Sequence, residues 1–301
     1  MINLLWLTER SFYIFLLILG AYIYSKFIIK YLYRCKCNSN FKKELKIEKY
    51  INKAIENREF EVYLQGKYNL ENNLLVGAEA LVRWNNKEIG KVAPDKFIPI
   101  LEENNFIVKL DKYMFEEVCK ILQRWKNNYN NIFPISINIS SETLKEEYNF
   151  IEYIKEIIDF YSIDKNSIEI EITERTMIEK SEQIIKVLKE IKALGIKVAL
   201  DDFGAGYSAL NLLKSLPIDI VKLDKLFLDK KNLSTKGKIV LNNVINMANE
   251  LGLEVITEGV EHIEQAEFLK SIGCKTVQGY LYCKPIEVQE FEKQLVKALV
   301  E

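Results

Sequence analysis

The sequence predicts an α/β protein, a TIM-like (β/α)8 barrel preceded by one N-terminal transmembrane helix. Three observations carry the barrel. Eight short runs rich in apolar and β-branched residues follow one another beyond residue 60, and most are separated by stretches of helical periodicity. Gly195, Gly252 and Gly273 each stand just after such a stretch, where a helix C-cap is expected. Many of the runs also end in acids or amides, and the C-terminal ends of the strands are where barrels of this class place their chemistry.

In chain order, residues 11–25 (SFYIFLLILGAYIYS) carry no charge. Lys26 can snorkel, which extends the apolar run to a single transmembrane helix over about 11–29. Tyr13, Tyr22, Tyr24, Tyr31 and Tyr33 gather towards its ends, as interfacial aromatics do. A cleaved signal peptide would need a small-residue cleavage site, and KFIIKYLYRCKC follows instead. A buried core helix would need a flanking partner, and none is evident. Lys26, Lys30, Arg34 and Lys36 all lie on the C-terminal side, so the positive-inside rule puts the following domain in the cytoplasm. The expected organisation is a membrane anchor over 1–35, a polar juxtamembrane linker over 36–46, and one globular domain over 47–301. The lipid bilayer is thus an expected partner, and the expected location is the cytoplasmic (inner) membrane, single-pass.

The domain opens on an amphipathic helix pattern from Ile47. The strand-like runs are 61–65, 75–84, 134–140, 168–173, 197–202, 219–224, 254–259 and 276–280. Helical patterns fill 112–125, 150–161, 181–194, 236–251 and 265–272. The first two runs are joined by a short polar turn, so the first strand is expected antiparallel to the second.

Of the 301 residues, 49% are hydrophobic and 28% charged, enough to bury a substantial core. A formal net charge of −1 supplies no field to hold a DNA or RNA duplex. The single histidine, His262, excludes a multi-histidine zinc site. Five cysteines without a CxxC pair fit reduced thiols. Demanding chemistry must therefore fall to carboxylates, amides, Lys and Arg.

Strand side chains alternate, so parity sorts these groups. Glu79, Leu81 and Arg83 share one face; Ser136, Asn138 and Ser140 another; then Glu169, Glu171 and Thr173, Ala199 with Asp201, Lys222 with Asp224, and Glu254 with Glu258, while Gln278 stands in the last run. Such a density of acids calls for hard divalent cations, Mg²⁺ or Mn²⁺. Asp201 and Asp202, read alone, are equally a helix cap before a glycine turn. Among the other acids, they suit a bridge between two ions in an in-line phosphoryl displacement. An enolase-type reaction, with Lys222 taking a proton next to a carboxylate, remains open at this level.

The run GAEALVRW at 77–84 contains Glu79-Ala80-Leu81 and resembles the signature of the EAL-domain family of cyclic di-GMP phosphodiesterases. The resemblance continues through SINIS (136–140), EIEITE (169–174), DDFGAGYS (201–208), VKLD (221–224), TEGVE (257–261) and QGY (278–280), covering about 47–301. It implies hydrolysis of cyclic di-GMP to linear pGpG with two Mg²⁺ or Mn²⁺ ions. Glu79, Asn138, Glu171 and Asp201 resemble the ligands of one ion; Asp201, Asp202 and Glu258 those around the second. Lys222 resembles the residue that positions and helps deprotonate the attacking water, and Glu79 and Glu258 join it in the implied catalytic set. So does Glu174, which is similar to the acid that holds the loop after Asp202. Gln65, Leu81, Arg83, Asp224, Gln278 and Glu261 look like substrate-contacting or supporting positions. The resemblance also implies a homodimer. Departures are Gly66-Lys67 after the first-strand glutamine, Ala205 between the loop glycines, and Ile256-Thr257 before Glu258. The alternative function is a silent cyclic di-GMP receptor of the same fold.

Overall fold

The computed structural model describes residues 50–51, 53–129, 133–145, 149–174, 182–204, 213–214, 216–228 and 234–300. The expected transmembrane helix (11–29) and linker (36–46) lie outside them. Among the described residues no helix is long and apolar enough to cross a membrane. The chain divides into 1–56 and 57–301; in the first part residues 50–51 and 53–56 are helical.

The second part is the barrel. Its staves are β1 (Phe60–Asn69), β2 (Leu75–Asn86), β4 (Ile135–Asn138), β5 (Ile168–Thr173), β6 (Lys197–Phe203), β7 (Ile220–Leu223), β8 (Glu254–Thr257) and β9 (Thr276–Val277). The pairs from β2 through β4 to β9 are parallel. As the short turn predicted, β1 runs antiparallel to β2, and it closes the ring by pairing antiparallel with β9. Two short strands absent from the sequence expectation, β3 (Gly90–Val92) and β10 (Ile286–Glu287), extend β2 and β1 outward.

The helices are α1 (Pro94–Glu103), α2 (Ile107–Asn128), α3 (Phe150–Tyr161), α4 (Glu182–Ala193), α5 (Thr235–Glu250), α6 (Ile263–Ser271) and α7 (Val288–Val300). Helix α1 escaped the sequence reading because it holds Pro99, which removes a backbone donor and normally argues against a helix. Its start is conventional, with a proline in the first turn. Gly195, Gly252 and Gly273 take positive φ behind α4, α5 and α6, as expected of C-caps.

Alternation along the staves separates two environments. Ile135, Ile137, Ile168, Ile170, Ile172, Val198, Leu200, Val221 and Leu223 are buried on one parity of their strands. The other parity faces inward, since Lys222 of β7 reaches Glu79 of β2 across the ring. Under the acids of β6 to β8, the inward residues Ala199, Ile220 and Ile256 pack together as an apolar floor.

The rim between β8 and β9 is closed by backbone. Gln278 N–H donates to Thr257 O, Val260 N–H to Gln278 O, and Leu281 N–H to Val260 O. A β-carbon on Gly279 would overlap the Val260 backbone. Gly279→Ala is therefore expected to destabilise the domain by about 1–3 kcal/mol, read as a lower urea midpoint. An unchanged midpoint would contradict this close approach.

Candidate active site

The site grows from one side chain. Lys222, in the middle of the apolar strand β7, is fully buried. Its Nζ lies 2.6 Å from Glu171 Oε2, 2.7 Å from Glu258 Oε1, 3.1 Å from Asp201 Oδ1 and 3.2 Å from Glu79 Oε2. Four strands thus deliver carboxylates to one ammonium, which has three protons to donate.

Amides complete the upper layer. Asn138 Nδ2 donates to Glu79 Oε1 at 2.8 Å, and Gln278 Nε2 donates to Glu79 Oε2 at 2.6 Å and Gln65 Oε1 at 3.1 Å. Gln65 in turn donates to Cys283 O. The register explains the meeting, because Gln65 pairs with Glu79, Asn138 with Glu171, and Thr173 with Asp201.

Strand β6 holds the one break in parity that matters. Leu200 pairs with Val221 but Phe203 with Leu223, so one extra residue is inserted at Asp201–Asp202. Asp202 takes φ +55°, a left-handed conformation that Asp tolerates better than most residues. Such a bulge re-aims a side chain. Strict alternation would turn Asp202 away from Asp201. Instead, ligand atoms of Asp201, Asp202 and Glu258 lie within 4.8 Å of one another, as do those of Glu79, Glu171 and Asp201. Asp201 belongs to both groups.

The electrostatics follow from burial. Burial works against the charge on Lys222, but Asp201, Glu171, Glu258 and Glu79 together raise its pKa well above that of a free lysine. Burial would likewise raise Glu171, yet Lys222 and Lys67 outweigh it and hold the carboxyl at about 2. Burial and neighbouring acids push Glu79 and Asp201 up, and Glu258 up to about 8. Asp202 is raised to about 6 by loss of water on its inner side and by Asp201.

The remaining expected residues distribute around this centre. Glu174 is buried, and its Oε2 accepts from Gly204 N–H at 3.4 Å. Loop residues 205–212, with Ala205 and Gly206, lie outside the described residues. Asp224 Oδ1 accepts from Leu226 N–H at 2.6 Å, and Asp224 also contacts Asp202. Arg83 donates to Val82 O and stacks over Tyr63. With Leu81 and Asn138 it borders a cavity of about 370 Å³ under α1 and α2. Glu261 is not drawn in: it is exposed ahead of α6, where its N–H and that of His262 donate to Gln265 Oε1.

Two features escaped the sequence reading. Parity groups Ser140 with Asn138, but β4 ends at Asn138, and Ser140 instead donates from N–H and Oγ to Asp111 of α2. Thr143 adds a third donor to the same carboxylate. Lys67, in sequence only a departure from the family pattern, is buried, with Nζ 2.7 Å from Glu169 Oε2 and 3.2 Å from Glu171 Oε1. The signal was present, since Lys67 shares parity with Gln65, and Glu169 with Glu171.

A closed α/β barrel with overlapping carboxylate groups at the C-terminal rim defines a class of proteins suited to binding hard cations at that rim. Within that class the chain belongs to the EAL-domain family, whose model, described as "EAL domain", matches residues 48–285. It is 32% identical to the signaling protein YkoW of Bacillus subtilis over 254 residues, 84% of this chain and 32% of that protein. It is 30% identical to the cyclic di-GMP phosphodiesterase PdeL of Escherichia coli, over 82% of this chain and 68% of PdeL. The structure of the EAL enzyme Bd1971 in its cAMP- and cyclic-di-GMP-bound form is similar at a TM-score of 0.79 and 31% identity, covering 91% of this chain and 75% of that one. The chain spans about a third of the length of the first curated relatives it matches.

Glu258 and Asp202, at about 8 and about 6, bind protons more tightly folded than unfolded, where their ordinary values are 4.5 and 3.8. Their share of stability is complete below the unfolded values and is lost as pH rises through 6 and then 8. Glu171 works in reverse, contributing above 4.5 and losing its share as pH falls through 2. Without divalent cations the melting temperature is expected to fall from about pH 5 to about pH 8, and added Mg²⁺ or Mn²⁺ to flatten that fall. A cation-free melting temperature that climbs across this window would refute the assignment.

Proposed function

We propose that this chain hydrolyses one phosphodiester bond of cyclic di-GMP to give linear pGpG, using two divalent cations. The observation that carries the proposal is the pair of carboxylate groups that share Asp201 around Lys222. The donor set fits hard ions in charge as well as in atom type. The acids Glu79, Glu169, Glu171, Asp201, Asp202 and Glu258 face only Lys67 and Lys222 in this network. Two divalent cations would neutralise the excess of negative charge.

Glu79, Glu171 and Asp201, with Asn138 alongside, would hold one ion, and Asp201, Asp202 and Glu258 the other. Bound there, the ions supply Lewis acidity and a water of lowered pKa. Glu79 is oriented for this task on both oxygens, by Asn138 on one and Gln278 on the other. Lys222 Nζ stands at the centre of the acids, where it orients the attacking water and takes its proton once its carboxylate partners are neutralised by other charges. Arg83 supplies a guanidinium for a phosphate oxygen. The cavity beside it, with Leu81, Ile98, Leu110 and Met114 among its walls, offers an apolar slot for a flat base.

The full chain, incubated with cyclic di-GMP and Mg²⁺ or Mn²⁺, is expected to release pGpG, followed by chromatography. Glu79→Ala should abolish turnover, and Lys222→Ala should lower kcat by about 10²–10⁴. Binding of cyclic di-GMP without product under either ion would leave a receptor and end the enzyme reading.

The anchor over 11–29 and its basic C-terminal flank support a single-pass inner-membrane protein with the barrel in the cytoplasm, and membership of the EAL-domain family implies a homodimer. Carbonate extraction should leave the chain in the membrane pellet, and light scattering in detergent should give two copies. Extraction into the soluble fraction removes the anchor, and a single copy removes the dimer.

A further inference from the structure

Lys67 is a second lysine sealed inside the barrel, beneath the layer that the proposed chemistry uses. It lies on β1 opposite Gly77, and a β-carbon there would come 3.5 Å from Lys67 Cδ and 3.2 Å from Pro134 O. Even a β-carbon there would meet the lysine stem only at ordinary van der Waals distance. Across the ring, Lys67 Nζ holds Glu169 Oε2 and Glu171 Oε1, while Lys222 holds Glu171 Oε2. Each oxygen of Glu171 is therefore gripped by a different lysine, one from below and one from within the acid cluster. Lys67 has only these two partners in the network and three protons to give them, so both grips can be made together.

We propose that Lys67 is a positioning residue that fixes Glu171 from beneath, aims its Oε2 at the cation site, and so sets the affinity of that site for divalent cations. The inference rests on the two-cation reading above. Two simpler roles make different predictions. If Lys67 were only a repelling charge near the ions, its removal would tighten their binding. If it only neutralised Glu169, removing both residues together would leave binding unchanged.

Titration of the full chain with Mn²⁺, followed by the electron paramagnetic resonance signal of free ion, separates these roles. Lys67→Met alone strands the buried Glu169 carboxylate and can fail to fold. The decisive variant is therefore Lys67→Met/Glu169→Met, since exchanging a buried ion pair for apolar side chains of similar volume is commonly tolerated. The double variant is expected to bind Mn²⁺ about 10- to 100-fold more weakly than the wild type, the usual effect of losing a partner behind a metal ligand. Its melting temperature, recorded alongside, separates that loss from a general loosening of the fold. Binding equal to or tighter than that of the wild type overturns the proposal. A wild-type chain that binds no Mn²⁺ instead overturns the two-cation reading itself, and this inference with it.

Discussion

One buried ammonium, Lys222, constrains most of what surrounds it. Isolated charges are costly to bury, and a barrel interior offers no water to compensate them. Four carboxylates from β2, β5, β6 and the end of β8 answer Lys222, but three protons cannot serve four acids equally well. The imbalance shows in the acids themselves. Glu171, at 2.6 Å, is held ionised, whereas Glu258, Glu79 and Asp201 are pushed towards their protonated forms. A rim in this condition favours additional positive charge, which is the physical root of the proposed cation dependence.

The frame must hold these groups in place against their own repulsion. It does so by giving the opposite face of the same strands almost wholly to isoleucine, valine and leucine, so the barrel's outer packing is independent of its inner charges. Inside, the floor is divided. Beneath Asp201, Lys222 and the β8 end lie Ala199, Ile220 and Ile256, while beneath Glu79 and Glu171 lie Ser136, Glu169 and Lys67. One half of the acid cluster rests on packing and the other half on an ion pair.

Much of this was legible in the sequence, because a strand's period of two states which residues share a face. Parity correctly grouped Glu79, Asn138, Glu171, Asp201 and Lys222, and the short polar turn after β1 foretold its antiparallel direction. What parity could not read is where alternation stops. The bulge at Asp202 adds a residue to β6 alone, and the end of β4 at Asn138 sends Ser140 to Asp111 rather than to the site. Asp111 itself sits on a helix whose periodicity identifies its buried face but not the loop it will hold. Helix α1 was hidden by Pro99, and β3 and β10 are too short to show a period. Lys67 was hidden differently: a lysine in a strand is ordinarily a solvated residue, and only the position of Glu169 across the ring gives it a partner.

The two interior lysines are therefore not equivalent, although both are buried and both touch Glu171. Lys222 is oversubscribed, with more carboxylates around it than protons to offer, so other cations can take over part of its role without leaving it unpaired. Lys67 is matched, with two acceptors within its capacity, and among the described residues it is the one cation paired with Glu169. A countercharge that can be displaced suits a group that must change its proton during a reaction. A countercharge that cannot be displaced suits a group that must keep a ligand still. On that argument the barrel uses one lysine type for two opposite purposes, separated by a single layer of side chains.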